Sequence, residues 1–288
     1  MSDLPEPFSK SLYLAQRHWS GTRDAKGVLA ATHKALTFFA LQRRRMAFHA
    51  ISTDDMLAYV AWLQAQGSGP STCRKRIASL AVVVRLAHDA RPQLSKVAVL
   101  PKVTVRQPVA PRWWLTPEAH AELREWLDMV GRYELRTFVD WTCATGLRVE
   151  ETLRVTRHHV FGLDGDRPTI IVPGTKTTSS SVTLPLSDAA AEIASAALGV
   201  HLSGHLIEAS YRSLLADWQA ARRFLGVTDI PTATLKSLRR SYAARLASRN
   251  VPTEVIRQAM RHSLITTTQG YLNLTGRSVE SLRDQLNV

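Results

Sequence analysis

The 288-residue sequence predicts a mainly α protein with one small β-hairpin, split into an all-helical front domain and an α+β rear domain. Three observations carry this reading. Apolar residues recur at three- and four-residue steps through most of the chain, as in helices with one buried face. A single β-rich stretch, 168–184, interrupts that period. A segment holding Pro101, Pro108 and Pro111 among Val, Lys and Arg divides the chain. The boundaries read 1–100 for the helical domain, 101–112 for the linker and 113–288 for the rear domain, which ends in a short tail helix.

The front domain follows from its periodicity and its breakers. Residues 9–49 are helix-like, with Leu29, His33, Leu36 and Ala40 near helical spacing, and close on Arg43, Arg44 and Arg45. Ser52 or Thr53 can cap the next helix, which carries Met56, Leu57, Val60 and Leu63 and stops at the Gly67–Pro70 turn. Ser71 opens a third helix with Arg74, Lys75 and Arg76 in its first turns and Ile77, Leu80, Val84 and Ala87 on one face.

In the rear domain, Thr116 and Pro117 start a helix over about 117–129, cap first and proline in the opening turn. Another covers about 133–144, and a short one follows Gly146. Pro168–Val172 and Val182–Leu184 form the hairpin, joined by the polar stretch 174–181. Helices resume at 187–198, 210–225, 234–249 and 253–260. Leu235, Leu238, Tyr242 and Leu246 give the third of these a buried stripe. Val279, Leu282 and Leu286 mark the tail helix.

Composition narrows the partners. Hydrophobic residues make up 45% of the chain, enough for real cores. Net charge is +13, which points to a phosphate-rich polymer or an anionic surface. The charge is uneven: residues 1–110 hold 16 Lys and Arg against 6 Asp and Glu, and residues 111–288 hold 21 against 18. No apolar run reaches the ~18 residues of a membrane span. The first residues carry acids where a signal peptide carries bases, and only Cys73 and Cys143 are present. A reduced cytoplasmic setting, without membrane association, is therefore expected. No glycine-rich nucleotide loop and no metal-ligand spacing occur, so neither cofactor nor metal is expected.

Three local patterns carry chemistry. Lys236 and Arg239, three apart, share one helix face; alone they read as a solvated surface. Arg148 and Glu151 follow Thr145-Gly146-Leu147; alone they read as an intrahelical salt bridge. His262 precedes Tyr271 by nine residues across a Ser/Thr-rich turn. In this order, with Lys176 in the hairpin, the set resembles the tyrosine recombinase, or phage integrase, family over residues 113–273. In plan it resembles simple Xer-like or phage integrases without an arm-binding domain. Two positions depart from the family pattern: Lys236 stands where a histidine is usual, and Arg261 where a glycine is usual.

The resemblance implies a site-specific DNA recombinase that cuts and rejoins strands through a covalent 3′-phosphotyrosine at Tyr271. Arg148 and Arg239 would grip the non-bridging oxygens, and His262 would add a hydrogen bond. Lys176 would protonate the leaving 5′ oxygen, and Glu151 would orient its neighbours. Lys236 could act as acid, base or phosphate clamp. The front domain would be the family's core-binding domain. Arg43, Arg44, Arg45, Arg74, Lys75, Arg76 and, in the rear domain, Arg212 are the candidate contacts to double-stranded DNA. The tail would dock on a neighbouring copy in a tetramer on two DNA sites. Alternatives are a type IB topoisomerase-like or resolvase enzyme, and a catalytically degenerate DNA-binding relative.

Overall fold

The structure, a computed structural model, describes residues 25–41, 51–89, 113–174 and 182–262, together with Tyr13 and Arg17. It divides into two compact units, 1–109 and 110–288. Among the described residues, no helix is long and apolar enough to cross a membrane.

The described part of the first unit is three helices: α1 (Ala25–Leu41), α2 (Thr53–Ala65) and α3 (Pro70–Asp89). Ser52 caps α2 by a reciprocal pair. Its hydroxyl accepts from the Asp55 amide, and the Asp55 carboxylate accepts from the Ser52 amide at 3.0 Å. The core is richer in aromatic rings than the spacing suggested. Phe38, Phe39 and Tyr59 are buried together, with Trp62 stacked on Tyr59. The inward face of α1 is Ala31, Ala35, Leu36, Phe38 and Phe39, while His33 is exposed. Leu57, expected inside on α2, is also exposed, because Tyr59 and Met56 fill that position against α1 and α3.

The second unit is built round α5 (Tyr133–Thr145). It packs against α4 (Pro117–Met129), α7 (Asp188–Val200), α8 (Tyr211–Phe224) and α9 (Leu235–Ser248). Thr116 caps α4, with Pro117 in the first turn. A three-stranded antiparallel sheet lies to one side, in the order β1 (Val160–Phe161), β2 (Thr169–Ile171), β3 (Thr183–Pro185). Val160 pairs with Ile170, and Ile170 with Leu184, so one face delivers Val160 and Ile170 to the core. The hairpin is where its β-branched residues place it. The added strand β1 is only two residues long, too short to show a period.

The centre of the unit is α9. Leu235 and Leu238 are buried as expected, but so are Ser237, Arg239, Ser241, Ala243, Ala244 and Ala247. Tyr242 and Leu246 are only partly buried. The helix is enclosed on several sides because its small residues let neighbours approach. Ser241 accepts from the Leu115 amide at 2.8 Å, and Arg240 donates to the Trp113 carbonyl at 2.6 Å. These contacts anchor the start of the unit on α9. A short helix α6 (Val149–Thr152) precedes the sheet, and α10 (Thr253–Ala259) follows α9.

Candidate active site

The site begins at the end of α5. Gly146 stops that helix in the left-handed region, at φ 65°. A Cβ there would run into the ring of Tyr242 on α9, so only glycine allows the close approach of the two helices. The turn exposes Arg148 at the cap of α6. Its amide donates to Glu151 Oε2 at 2.8 Å, and its Nη1 donates to Glu151 Oε1 at 2.8 Å. The three-residue spacing thus becomes a two-point clamp that sets the Arg148 guanidinium in one pose.

Arg239 reaches the same place from α9. Its Nη1 donates to the Gly146 carbonyl at 2.7 Å and lies 3.9 Å from Glu151 Oε2, and its Nη2 donates to the Met260 carbonyl. It is buried, whereas Arg148 remains half-exposed. Arg239 therefore does not lie on a wet helix face. A third guanidinium, Arg261, donates to Glu151 Oε2. The buried Glu151 carboxylate thus serves Arg148, Arg239 and Arg261.

His262 completes the cluster. Its amide donates to the Arg257 carbonyl at 3.0 Å, and its carbonyl accepts from Arg257 Nη1 at 2.8 Å. Burial, then the positive fields of Arg239, Arg148, Arg261 and Arg257, push its pKa down to about 4. The ring is therefore neutral near pH 7 and keeps one N–H to donate.

Four of the expected site residues, Arg148, Glu151, Arg239 and His262, are brought together from α6, α9 and the turn after α10. Lys236 is exposed on the first turn of α9. Arg74 and Lys75 are exposed on α3, Arg76 is partly buried and donates to Ser68 at 3.2 Å, and Arg212 is exposed on α8. Lys176, Tyr271, Arg43, Arg44, Arg45 and the tail helix lie outside the described residues.

The sequence reading missed the ion pair of Arg261, whose partner lies 110 positions away. It also missed a support on the far side of α9. Arg245 donates to His120 Nδ1 at 2.9 Å, so His120 donates through Nε2 to the buried Asp140 at 2.7 Å. A carboxylate set between the large apolar residues Val139 and Trp141 was the available signal for Asp140. Among the described residues, no group of three or more His, Cys, Asp or Glu is placed to hold a metal ion.

The model of the phage integrase family matches residues 114–277, more than half of the chain. The chain belongs to the phage integrase family. It is thus a tyrosine site-specific recombinase by class, and its second unit carries the fold of that family's catalytic domain. No curated protein matches the chain by sequence. Solved structures share the fold at low identity. The Tn1549 transposon integrase, in complex with transposon right end DNA, superposes with a TM-score of 0.70 at 12% identity, over 96% of this chain and 98% of that one. The lambda integrase dimer bound to a COC′ core site gives 0.69 at 14%, over 94% and 78%. The XerH recombinase bound to palindromic difH substrate, a post-cleavage complex, gives 0.72 at 15%, over 98% and 85%.

Proposed function

We propose that this phage integrase family member cleaves and rejoins double-stranded DNA through a 3′-phosphotyrosine on Tyr271. The observation that carries the site assignment is the convergence of Arg148, Arg239 and Arg261, the neighbour of His262, on Glu151, from elements far apart in sequence. Guanidiniums gathered round one carboxylate leave a surplus of positive charge, suited to a phosphodiester whose charge grows in the transition state. The Tyr271 oxygen forms the new bond to phosphorus, and the bond to the 5′ oxygen breaks. The tyrosine releases its proton to water, and Lys176 supplies one to the leaving 5′ oxygen, so that protons balance over the step. The phosphotyrosine keeps the bond energy for rejoining, so no nucleotide is consumed. Lys236, exposed on the first turn of α9, adds a point charge to the same phosphate.

The helical unit adds grip as a core-binding domain, through Arg74, Lys75, Arg76 and the Arg43–Arg45 triplet, with Arg212 contributing from the catalytic unit. The working assembly is a tetramer on two DNA sites, linked by the tail helix, and it acts in the cytoplasm. The resemblance to the family supports the tetramer, and the presence of only two cysteines, both free, supports the reducing compartment. The fold neighbours captured with DNA support the choice of substrate.

A nicked suicide substrate tests the chemistry. Wild type is expected to form a covalent adduct that Tyr271→Phe abolishes. No adduct on any site tried would leave a catalytically silent DNA-binding protein. Relaxation of supercoils without site preference would replace recombination by a topoisomerase reading.

A further inference from the structure

Arg261 occupies a backbone conformation that its side chain does not favour. Its φ is 53°, in the left-handed region where a Cβ is crowded and glycine is the usual occupant. The residue also buries its charge: the side chain is 11% exposed, and Nη1 is buried without a hydrogen-bond partner. Burial pulls its pKa down, against the attraction of Glu151. Two unfavourable features in one residue call for a compensating contact. That contact is the Nη2 hydrogen bond to Glu151 Oε2, the oxygen that also receives the Arg148 amide.

The consequence is mechanical. Arg261 directly precedes His262, and Glu151 directly orients Arg148. With glycine at 261, the turn after α10 would keep its backbone shape but lose this link to Glu151. The Arg239 bond to the Met260 carbonyl would still hold it to α9. We propose that Arg261 is a positioning residue, whose ion pair with Glu151 holds the His262 turn in register with the Arg148 guanidinium. The catalytic consequence rests on the recombinase reading given above, while the link itself does not.

Three variants separate the possibilities. Arg261→Gly keeps the left-handed turn and removes the link, Arg261→Met keeps bulk without charge, and Arg261→Lys keeps charge without the planar fork. Single-turnover adduct formation on the suicide substrate is expected to slow by about ten- to a hundredfold in the Gly and Met variants, since misplaced groups lose rate steeply. Affinity for the uncleaved site should change by less than about threefold, because the ground-state contacts remain. Arg261→Lys should recover part of the rate. Added to Glu151→Gln, Arg261→Met should cost little more, since the pair is already broken.

The titration of His262 in the free protein, followed by NMR, gives a readout independent of turnover. Its midpoint should rise in the Gly and Met variants and stay near wild type in Arg261→Lys. Unchanged rate and unchanged midpoint in Gly and Met overturn the proposal, and so does full additivity with Glu151→Gln. A lowered melting temperature alone would make Arg261 merely structural, which also overturns it. If wild type forms no adduct, the recombinase reading fails, and hydrogen exchange at the His262 amide then decides the role of Arg261: it should speed in the Gly and Met variants, and unchanged exchange overturns the proposal.

Discussion

At the residue scale, the site depends on two positions where the backbone or the charge is under constraint. Gly146 is the first. Replacing it by alanine places a Cβ in the left-handed region, which costs about 1–2 kcal/mol, and forces the Tyr242 ring aside, which costs about 1–3 kcal/mol more. Gly146→Ala should therefore lose about 2–5 kcal/mol of unfolding free energy in urea, with part regained in Gly146→Ala/Tyr242→Ala. A loss below experimental error would show that the α5–α9 approach tolerates a side chain. His262 is the second. Its folded pKa of about 4 lies below the ordinary 6.5, so the unfolded chain binds the proton first as pH falls. The stability it contributes is present above pH 6.5 and is lost as pH drops toward 4. Relative to His262→Gln, wild type should weaken across that window, as urea midpoints at several pH values would show; parallel curves would refute the shift. A bound phosphate opposes the arginine fields, so cognate DNA should raise the His262 midpoint.

At the scale of elements, α9 explains what the sequence revealed and what it hid. The helix itself, like α4, α5, α7 and α8, was legible from its period and breakers, and the hairpin from Thr169-Ile170-Ile171. Arg148 and Glu151 were legible as a pair because three residues on a helix bring side chains together. The burial of Arg239 was not legible, because it depends on the Gly146 and Met260 carbonyls, which tertiary packing brings to it. The same holds for Ser241, an unremarkable residue by sequence. Its hydroxyl accepts from the buried Leu115 amide and donates to the Ser237 carbonyl at 3.2 Å. Ser241→Ala should cost about 1–3 kcal/mol by stranding a buried amide, while the exposed Ser248→Ala stays near zero. Equal effects of the two in thermal melts would mean that Leu115 finds another acceptor. Cys143 follows the same rule of enclosure. Burial pushes its pKa up to about 12, so it should resist alkylation in the folded protein and react only on unfolding.

At the scale of the whole molecule, charge is divided between the two units as the proposed roles require. The unit spanning 1–109 holds 16 of the 37 Lys and Arg but only 6 of the 24 Asp and Glu. The second unit is nearly balanced overall and concentrates its positive charge round Glu151, where guanidiniums are held by carbonyls and a carboxylate. A solvated basic surface and an oriented cluster should act on DNA differently. The first releases counterions wherever phosphates meet it, so its contribution falls steeply with salt; the second acts at one phosphate. On α3, Arg74 and Lys75 are exposed at adjacent positions. Arg74→Ala and Lys75→Ala should each weaken binding to cognate and unrelated duplexes alike, and flatten the slope of log K against log salt by about one. Single-turnover cleavage at saturating DNA should be nearly unchanged. Arg239→Ala should do the reverse, abolishing cleavage with a smaller loss of affinity. Anisotropy titrations at four salt concentrations, paired with adduct yields, separate the two classes. If the α3 variants keep the wild-type slope, grip must come from other residues, and the excess charge of the first unit would need a different partner.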